Sequence, residues 1–234
     1  MISGKFIKFL KQHPIEVILF LITCTFLIGS SFIIKPRIKG DGAEYFLMLE
    51  SFSNHFSANL LNEDINHFQY LIERDKDKHM IIWDKNIAYT GYYEDKDNKN
   101  YSYHFWLYSF MTMPLKKILS IVDHELYSFQ VFNAILLSIS IFGILFLSEI
   151  KTFYKVVFFF NFVINPILWF IFWPHPELFS ACFVIISLIG LKRKSTIMTL
   201  IPAAIASTQN QPIIILFFFL FIYILLDKQF NKKK

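Results

Sequence analysis

One uncharged apolar run limits the folds open to this chain more than any other feature. Residues 17–34 contain no charged side chain over 18 positions, close to the ~20 residues that a helix needs to cross roughly 30 Å of hydrocarbon. The lysines before it resemble the start of a signal peptide, but the run is longer than a signal core and lacks a small-residue cleavage site. We therefore expect a retained membrane-spanning helix.

Five further apolar runs follow, and the chain as a whole is 55% hydrophobic with a mean hydropathy of +0.45. The runs occupy residues 129–148, 156–173, 176–191, 196–207 and 212–226. Such a composition is too apolar for an ordinary soluble domain. The sequence predicts an all-α fold, a polytopic transmembrane helix bundle of about six spans.

Apart from the long segment 35–128, basic residues are confined to the two tails and to alternate connections between these runs. They are Lys5, Lys8, Lys11, Lys151, Lys155, Lys192, Arg193, Lys194, Lys228, Lys232, Lys233 and Lys234. Short basic loops usually stay on the cytoplasmic side, so we expect a multi-pass protein of the cell membrane with both termini cytoplasmic. Charge does not distinguish two spans from a re-entrant hairpin over residues 196–226, and both arrangements stay open.

Three regions follow from this arrangement. Residues 1–34 form a cytoplasmic tail and the first span, residues 35–128 an extracytoplasmic loop, and residues 129–234 spans two to six with a second cytoplasmic tail. The outer loop has nearly equal numbers of acidic and basic residues, which excludes a nucleic-acid surface.

The outer loop is expected to be tied down at both ends by juxtamembrane helices. Residues 42–52 suit a short amphipathic helix near the outer bilayer surface, and the aromatic-rich residues 103–119 suit a second one. Between them, residues 73–78 and 94–100 are dense in mixed charge and turn formers, which predicts mobile loops or a small lid.

The sequence GDGAEY at residues 40–45 is the strongest candidate for chemistry. In a helix beginning there, Asp41 and Glu44 are three residues apart and can act on one ligand. Two carboxylates at a membrane surface can supply a general base and bind a divalent cation. The same spacing is also that of a capping box, in which both side chains serve the helix start, and both interpretations stay open.

A second candidate is the outer turn WPHPE at residues 173–177. Pro176 and Glu177 are good helix-start residues, yet a carboxylate at the edge of hydrocarbon is costly without a partner. His175, like His104, is a candidate metal ligand or proton donor, although an isolated histidine is usually an ordinary interfacial residue.

Further candidates are weaker. Gln209 and Asn210 can hydrogen-bond a sugar or a phosphate, or simply form a turn. Cys24 and Cys182 fall inside apolar runs and are expected to be small buried hydrophobes. The sequence contains no phosphate-binding loop, dinucleotide-binding glycine pattern, paired-cysteine zinc motif or nucleophile elbow, so an enzyme that uses a soluble cofactor is not expected.

The order of these features resembles the N-terminal half of the GT-C superfamily of membrane glycosyltransferases, which includes protein O-mannosyltransferases and lipid A aminoarabinose transferases. The resemblance rests on one span, the outer acidic motif GDGAEY, an interfacial aromatic segment over residues 101–119, and further spans with an acidic outer turn. Family members usually have more spans, so the chain is similar to a short or truncated member, or to one piece of a split enzyme.

The resemblance implies a donor sugar on a polyprenyl phosphate and a lipid or glycan acceptor, with the lipid tails lying between the spans. Asp41, with Glu44 beside it, is implied to deprotonate the acceptor hydroxyl. Glu177 is implied to hold the lipid phosphate with the help of a divalent metal ion, for which Asp41 is the second candidate ligand. His104, His175, Gln209 and Asn210 are the remaining candidate substrate contacts.

Two other classes of protein compete with this interpretation. A non-catalytic membrane partner or scaffold subunit of an envelope complex would use the outer loop to bind another protein. A small transporter would place ionisable residues along a path through its spans, and these spans have almost none. The enzyme is favoured because a scaffold has no reason to place Asp41, Glu44 and Glu177 at one membrane level.

Overall fold

The computed structural model describes residues 12–38, 40–81, 90–227 and 230, which are mostly helical. The helices are α1 (Pro14–Ile33), α2 (Gly42–His55), α3 (Asn62–Arg74), α4 (Leu107–Leu119), α5 (Ser128–Phe142), α6 (Thr152–Val163), α7 (Pro176–Lys192), α8 (Thr196–Gln209) and α9 (Ile213–Leu226). Short 3-10 helices occupy Ser120–Val122, Glu125–Tyr127 and Pro166–Ile171, and a π-helical segment occupies Gly143–Leu147. Strands β1 (Tyr92–Glu94) and β2 (Asn100–Ser102) form an antiparallel hairpin. The predicted helical fold is confirmed.

Two helical stretches, Pro14–Ile33 and Glu125–Leu147, are long and apolar enough to cross a membrane by length and composition. Helices α6 and α9 are apolar but shorter. The predicted number of six spans therefore stays a prediction. The terminal basic residues used for the predicted orientation lie outside the described residues: Lys5, Lys8, Lys11, Lys228, Lys232, Lys233 and Lys234.

The predicted third span over residues 156–173 is not one continuous helix. Helix α6 ends at Val163, and the 3-10 helix Pro166–Ile171 follows it. Asn165 between them is extended, with φ −70° and ψ 150°, and its side chain accepts a hydrogen bond from the N–H of Ile167 at 3.2 Å. The ring of Pro166 disfavours helical backbone at the residue before it, which explains the break.

Helix α2 lies in the interior of the protein, and it is the segment for which the sequence predicted a short amphipathic helix near the outer bilayer surface. Its buried residues run without a break from Tyr45 to Phe52. It packs against α3 and α4, and its aromatic side chain Phe46 stacks on Phe68 of α3 and meets Phe129 of α5 edge-on. Burial on nearly all sides places α2 in the core of the described residues, and its position near the bilayer surface stays a prediction.

Burial of α2 brings one carboxylate, Glu50, completely out of contact with solvent. Its Oε2 accepts hydrogen bonds from Lys116 Nζ of α4 at 2.6 Å and from His67 Nδ1 of α3 at 2.7 Å. The Lys116 side chain is itself only 5% exposed. An ion pair at this depth fixes α2 against both neighbouring helices, because an uncompensated buried charge is very costly.

Side-chain amides join the remaining helices. The amide of Gln130 on α5 donates to the carbonyl of Ile34 at the end of α1, at 2.9 Å. Asn133, one turn further on, accepts from the hydroxyl of the buried Tyr108 at 2.9 Å and donates to the carbonyl of Phe170 at 2.8 Å. These bonds satisfy backbone groups where helices end, and thereby align α1, α4 and α5.

Charged side chains form ion pairs at the end of the molecule where α1 starts and α5 ends. Three ion pairs there join α1 to α6, the end of α5 to the end of α7, and the α7–α8 link to the end of α9. They are Lys155–Glu16 (3.8 Å), Arg193–Glu149 (3.3 Å) and Lys194–Asp227 (2.5 Å). The start of α1 and the links after α5 and α7 therefore share one end of the molecule.

The two segments predicted as mobile loops have defined contacts. Arg74, at the end of α3, pairs with Asp75 and with Glu125 at 2.8 Å. Residues 94–100 form the tip of the β1–β2 hairpin, in which Tyr93 faces Tyr101. The hairpin lies against the start of helix α2 and covers it.

We expect Lys116→Met to lower the free energy of unfolding by about 3 kcal/mol, because Glu50 would keep a buried charge with only a histidine beside it. The neighbouring Lys117 is exposed, so Lys117→Met is the matched control and should change stability by less than about 0.5 kcal/mol. Unfolding of both variants in the same detergent measures the difference. Equal stabilities would show that the buried pair does not hold α2 in place.

Candidate functional site

The carboxylates of Asp41, just before helix α2, and Glu44, in its first turn, do not cap that helix. Helix α2 begins at Gly42 with Asp41 at the N-cap position, as the sequence predicted, and the Asp41 carbonyl accepts from the N–H of Tyr45 at 3.2 Å. The Asp41 side chain, however, makes no capping hydrogen bond. The capping-box interpretation is therefore wrong for this helix start, and both carboxylates are available for other contacts.

The two carboxylates converge on His104. His104 Nε2 lies 3.5 Å from Asp41 Oδ2 and 3.4 Å from Glu44 Oε2. The Asp41 side chain is 46% exposed, whereas that of Glu44 is 14% exposed. The more accessible carboxylate is thus the one open to an incoming molecule, and the other forms the floor of the cluster.

A second histidine, His175 at the start of α7, also lies beside Asp41. His175 Nε2 lies 3.7 Å from Asp41 Oδ2, and its Nδ1 is in hydrogen-bond contact with Glu177 Oε2. The Asp41 and Glu177 carboxylates therefore face opposite nitrogens of one imidazole ring. Glu177 is placed to orient His175, because a hydrogen bond to one ring nitrogen fixes the role of the other.

Three helices start around this cluster. Asp41 precedes α2, His104 stands shortly before α4, and His175 is the N-cap residue of α7. A Cβ added to Gly42 would come 2.9 Å from Pro174 Cγ, so the start of α2 touches the turn before α7. Helix N-termini carry partial positive charge, and their meeting favours negatively charged groups at this point.

The β-hairpin closes over Glu44. Ser102 Oγ donates to Glu44 Oε2 at 3.3 Å, and the Tyr92 hydroxyl donates to the Glu44 carbonyl at 3.1 Å. Gly91 has φ +87°, and a Cβ at that position would lie 2.1 Å from Glu44 Oε1. Glycine is therefore required there both by backbone conformation and by the close approach of the carboxylate.

Burial changes the acid–base behaviour of two cluster residues. Burial raises the pKa of the Glu44 carboxyl above its usual range; His104 opposes that rise and Asp41 adds to it. Burial lowers the pKa of the His175 imidazole, which the Asp41 carboxylate partly offsets. The Asp41 and Glu177 carboxylates both accept hydrogen bonds, so a neutral His175 can donate to only one of them, and its other nitrogen is an acceptor.

Aromatic rings line the cluster, and sequence reasoning did not select them. The Tyr45 ring centroid lies 5.1 Å from that of His104 and 6.2 Å from that of His175. The Trp173 ring lies 5.0 Å from that of His175. In the sequence, Tyr45 was marked as a possible site residue only by its place directly after Glu44, and nothing marked Ser102.

Gln209 lies next to the cluster but uses its amide for structure. Its Oε1 accepts from the N–H of Tyr108 at 3.0 Å and its Nε2 donates to the carbonyl of Phe105 at 3.1 Å. It thereby braces the start of α4, which follows His104. Asn210 is exposed, and its described hydrogen bonds are made by its backbone. Substrate contact by these two residues stays a prediction.

Within the described residues, Asp41, Glu44 and His104 form a group whose ligand atoms lie within 4.8 Å of one another. Two carboxylate oxygens and one imidazole nitrogen suit a divalent cation such as Mn²⁺ or Mg²⁺ with further oxygen ligands. The sequence had suggested Asp41 with Glu177, whereas Glu177 contacts His175. The geometry therefore favours Glu44 and His104 as the companions of Asp41.

Comparison of the chain with protein-family models, curated proteins and solved structures found no match. What the protein does is therefore inferred from the geometry of this cluster.

We expect Asp41→Ala to change the free energy of unfolding by less than about 0.5 kcal/mol, because its side chain makes no capping bond. Ser195→Ala is the matched control, since the Ser195 side chain does accept from the N–H of Met198 at the start of α8. Loss of that cap should cost about 1 kcal/mol. Unfolding measurements in which both variants lose the same stability would restore the capping role of Asp41.

Proposed function

We propose that the protein is a glycosyltransferase that moves a sugar from a polyprenyl-phosphate-linked donor to a lipid or glycan acceptor at the extracytoplasmic membrane face. The observation that supports this proposal most is the uncapped Asp41 carboxylate, which is half exposed and stands between His104 and His175. A helix start that carries two carboxylates without using either as a cap suits chemistry better than structure.

In the proposed reaction, Asp41 acts as the general base. Its carboxylate accepts the proton of the acceptor hydroxyl, and the oxygen of that hydroxyl forms a bond to the anomeric carbon of the donor sugar. The bond from that carbon to the lipid phosphate oxygen breaks, and its electron pair leaves with the phosphate. Attack from the opposite side inverts the anomeric centre.

The other cluster residues position Asp41 and the substrate. Glu44, held by Ser102 and the hairpin, is the more buried acid and is placed to fix His104. His175, oriented by Glu177, faces Asp41 and can receive a hydrogen bond from a sugar or acceptor hydroxyl. A divalent cation held by Asp41, Glu44 and His104 would supply positive charge beside the reacting centre.

We further propose that the chain crosses the cell membrane six times with both termini in the cytoplasm. The pairs Lys155–Glu16 and Arg193–Glu149 support this arrangement, because they join at one end the links that the basic-residue rule assigns to the cytoplasm. The carboxylate and histidine cluster involves the outer loop and the turn before α7, which the same rule assigns to the outside.

Two spans over residues 196–226 fit better than a re-entrant hairpin. The hydrogen bonds of Gln209 join the end of α8 to the start of α4, which belongs to the proposed outer loop. A hairpin that turned within the hydrocarbon would not bring Gln209 to that level. Helices α8 and α9, of 14 residues each, are about 21 Å long, so spanning would require the bilayer to thin by roughly 9 Å or their flanking residues to reach the interface.

Replacement of Asp41 by Asn tests the proposed chemistry, because Asn removes the base but retains size and polarity. In source cells that lack the protein, wild type should restore the missing glycan or lipid-linked sugar, and Asp41→Asn at equal abundance should not. General bases contribute about 100-fold or more to rate, so transfer by purified protein should fall at least that far. Equal restoration by both proteins would favour a non-catalytic partner subunit.

A second test concerns the hairpin over Glu44. Gly91→Ala should displace the Glu44 carboxylate and lower transfer, since the added Cβ has no room beside Oε1. Gly40→Ala is the matched control: Gly40 also has positive φ, +53°, but nothing lies within 4 Å of an added Cβ. Each variant should lose about 1 kcal/mol of stability from backbone strain. Equal transfer activity in the two variants would remove Glu44 from the proposed site.

A further inference from the structure

A cavity of about 550 Å³ opens beside the cluster, between the end of α1 and the 3-10 helix Pro166–Ile171. It is lined by Ile34, Arg37, Trp169, Phe172 and Trp173. Four of these five side chains are apolar or aromatic, and the fifth is a guanidinium. The cavity thus combines a hydrocarbon surface with one fixed positive charge.

Arg37 has no acidic partner within the described part of the chain. Its side chain is exposed and lines the cavity. A guanidinium offers several N–H donors in one plane, which match the oxygens of a phosphate. An unpaired arginine in an aromatic cavity therefore suits a ligand that joins an anionic group to a hydrocarbon chain.

The aromatic walls suit the chain of such a ligand. Trp169 is 81% exposed, and Trp173 is 37% exposed. Exposed indole rings prefer the boundary between hydrocarbon and water. They can pack against the first carbons of a lipid chain while the guanidinium holds the head group at the same level.

Trp173 connects the wall of the cavity to the carboxylate and histidine cluster. Trp173 lines the cavity and packs against His175, whose Nε2 faces Asp41. Phe170 stacks on Trp173 at a centroid distance of 5.7 Å and also contacts the His175 ring. A group bound at Arg37 would thus lie against the aromatic residues that pack on His175.

We propose that this cavity binds the phosphate and first isoprene units of the lipid-linked donor, with Arg37 as the phosphate-binding residue. The assignment rests on the proposed function, because it takes the donor to be a polyprenyl phosphate. It gives the phosphate to Arg37 rather than to Glu177, whose carboxylate contacts His175 and would repel an anion. The sugar would then extend past Trp173 towards Asp41.

Binding of farnesyl phosphate to the full-length protein in phosphatidylcholine nanodiscs tests the assignment through tryptophan fluorescence. Wild type should show saturable binding, and farnesol, which lacks the phosphate, should bind at least tenfold more weakly. Arg37→Gln should raise Kd about tenfold or more, since a hydrogen bond to a charged group is worth that much. Arg37→Lys, which keeps the charge, should bind with an intermediate Kd.

Matched variants locate the effect. Lys117→Gln removes a positive charge from an exposed site in the same outer region and should leave Kd unchanged. Trp169→Phe and Trp173→Phe should each reduce the fluorescence change, whereas Trp106→Phe should not, because Trp106 packs against Phe52 and Phe110, away from the cavity.

The outcomes separate this assignment from the proposed function. Equal Kd values for wild type and Arg37→Gln, equal binding of farnesol, or equally strong competition by phosphatidylglycerol would overturn it, the last by showing a site for ordinary bilayer lipid. Asp41→Asn should bind farnesyl phosphate as wild type does while losing transfer. Loss of transfer in Asp41→Asn without Arg37-dependent binding would leave the glycosyltransferase proposal standing and reject only this cavity.

Discussion

Burial of helix α2 puts the charge of Glu50 in the protein interior, where it must be neutralised, and side chains of the two neighbouring helices neutralise it. Glu50 is fully buried and takes Lys116 from α4 and His67 from α3 as partners. Because removal of either ion of a buried pair leaves an uncompensated charge, the three helices are bound to one arrangement. The rotation of α2 about its own axis is set by Glu50, and the direction in which its first turn faces is set with it.

That fixed first turn gives Asp41 and Glu44 their neighbours. The turn before α7 touches the start of α2 at Gly42 and Pro174, and this contact brings His175 to Asp41. Gln209 braces the start of α4, which follows His104. Two like charges held near each other would repel, but His104 and the partial positive charges of three helix starts offset that repulsion.

The molecule has two chemically different ends. Around α5, the amides of Gln130 and Asn133 satisfy backbone carbonyls at the end that carries the carboxylate and histidine cluster. At the other end, Arg193 and Lys155 pair with carboxylates. Basic residues of the short links gather at that other end, which is the asymmetry that the proposed membrane insertion requires.

The sequence by itself determined the local features. The apolar runs predicted helices α7 and α9 nearly to the residue, and the spacing of Asp41 and Glu44 placed both at the start of a helix. Both predictions succeed because the periodicity of side chains in a helix depends only on neighbouring residues. Tertiary structure alone decided that neither acid caps that helix, that α2 is interior, and that His104 and His175 meet at Asp41. It also placed Arg37 beside Trp169 and Trp173. These contacts join residues far apart in the chain, and no local sequence pattern encodes them. The packing of whole helices around a buried charge selects them among the many possible pairings.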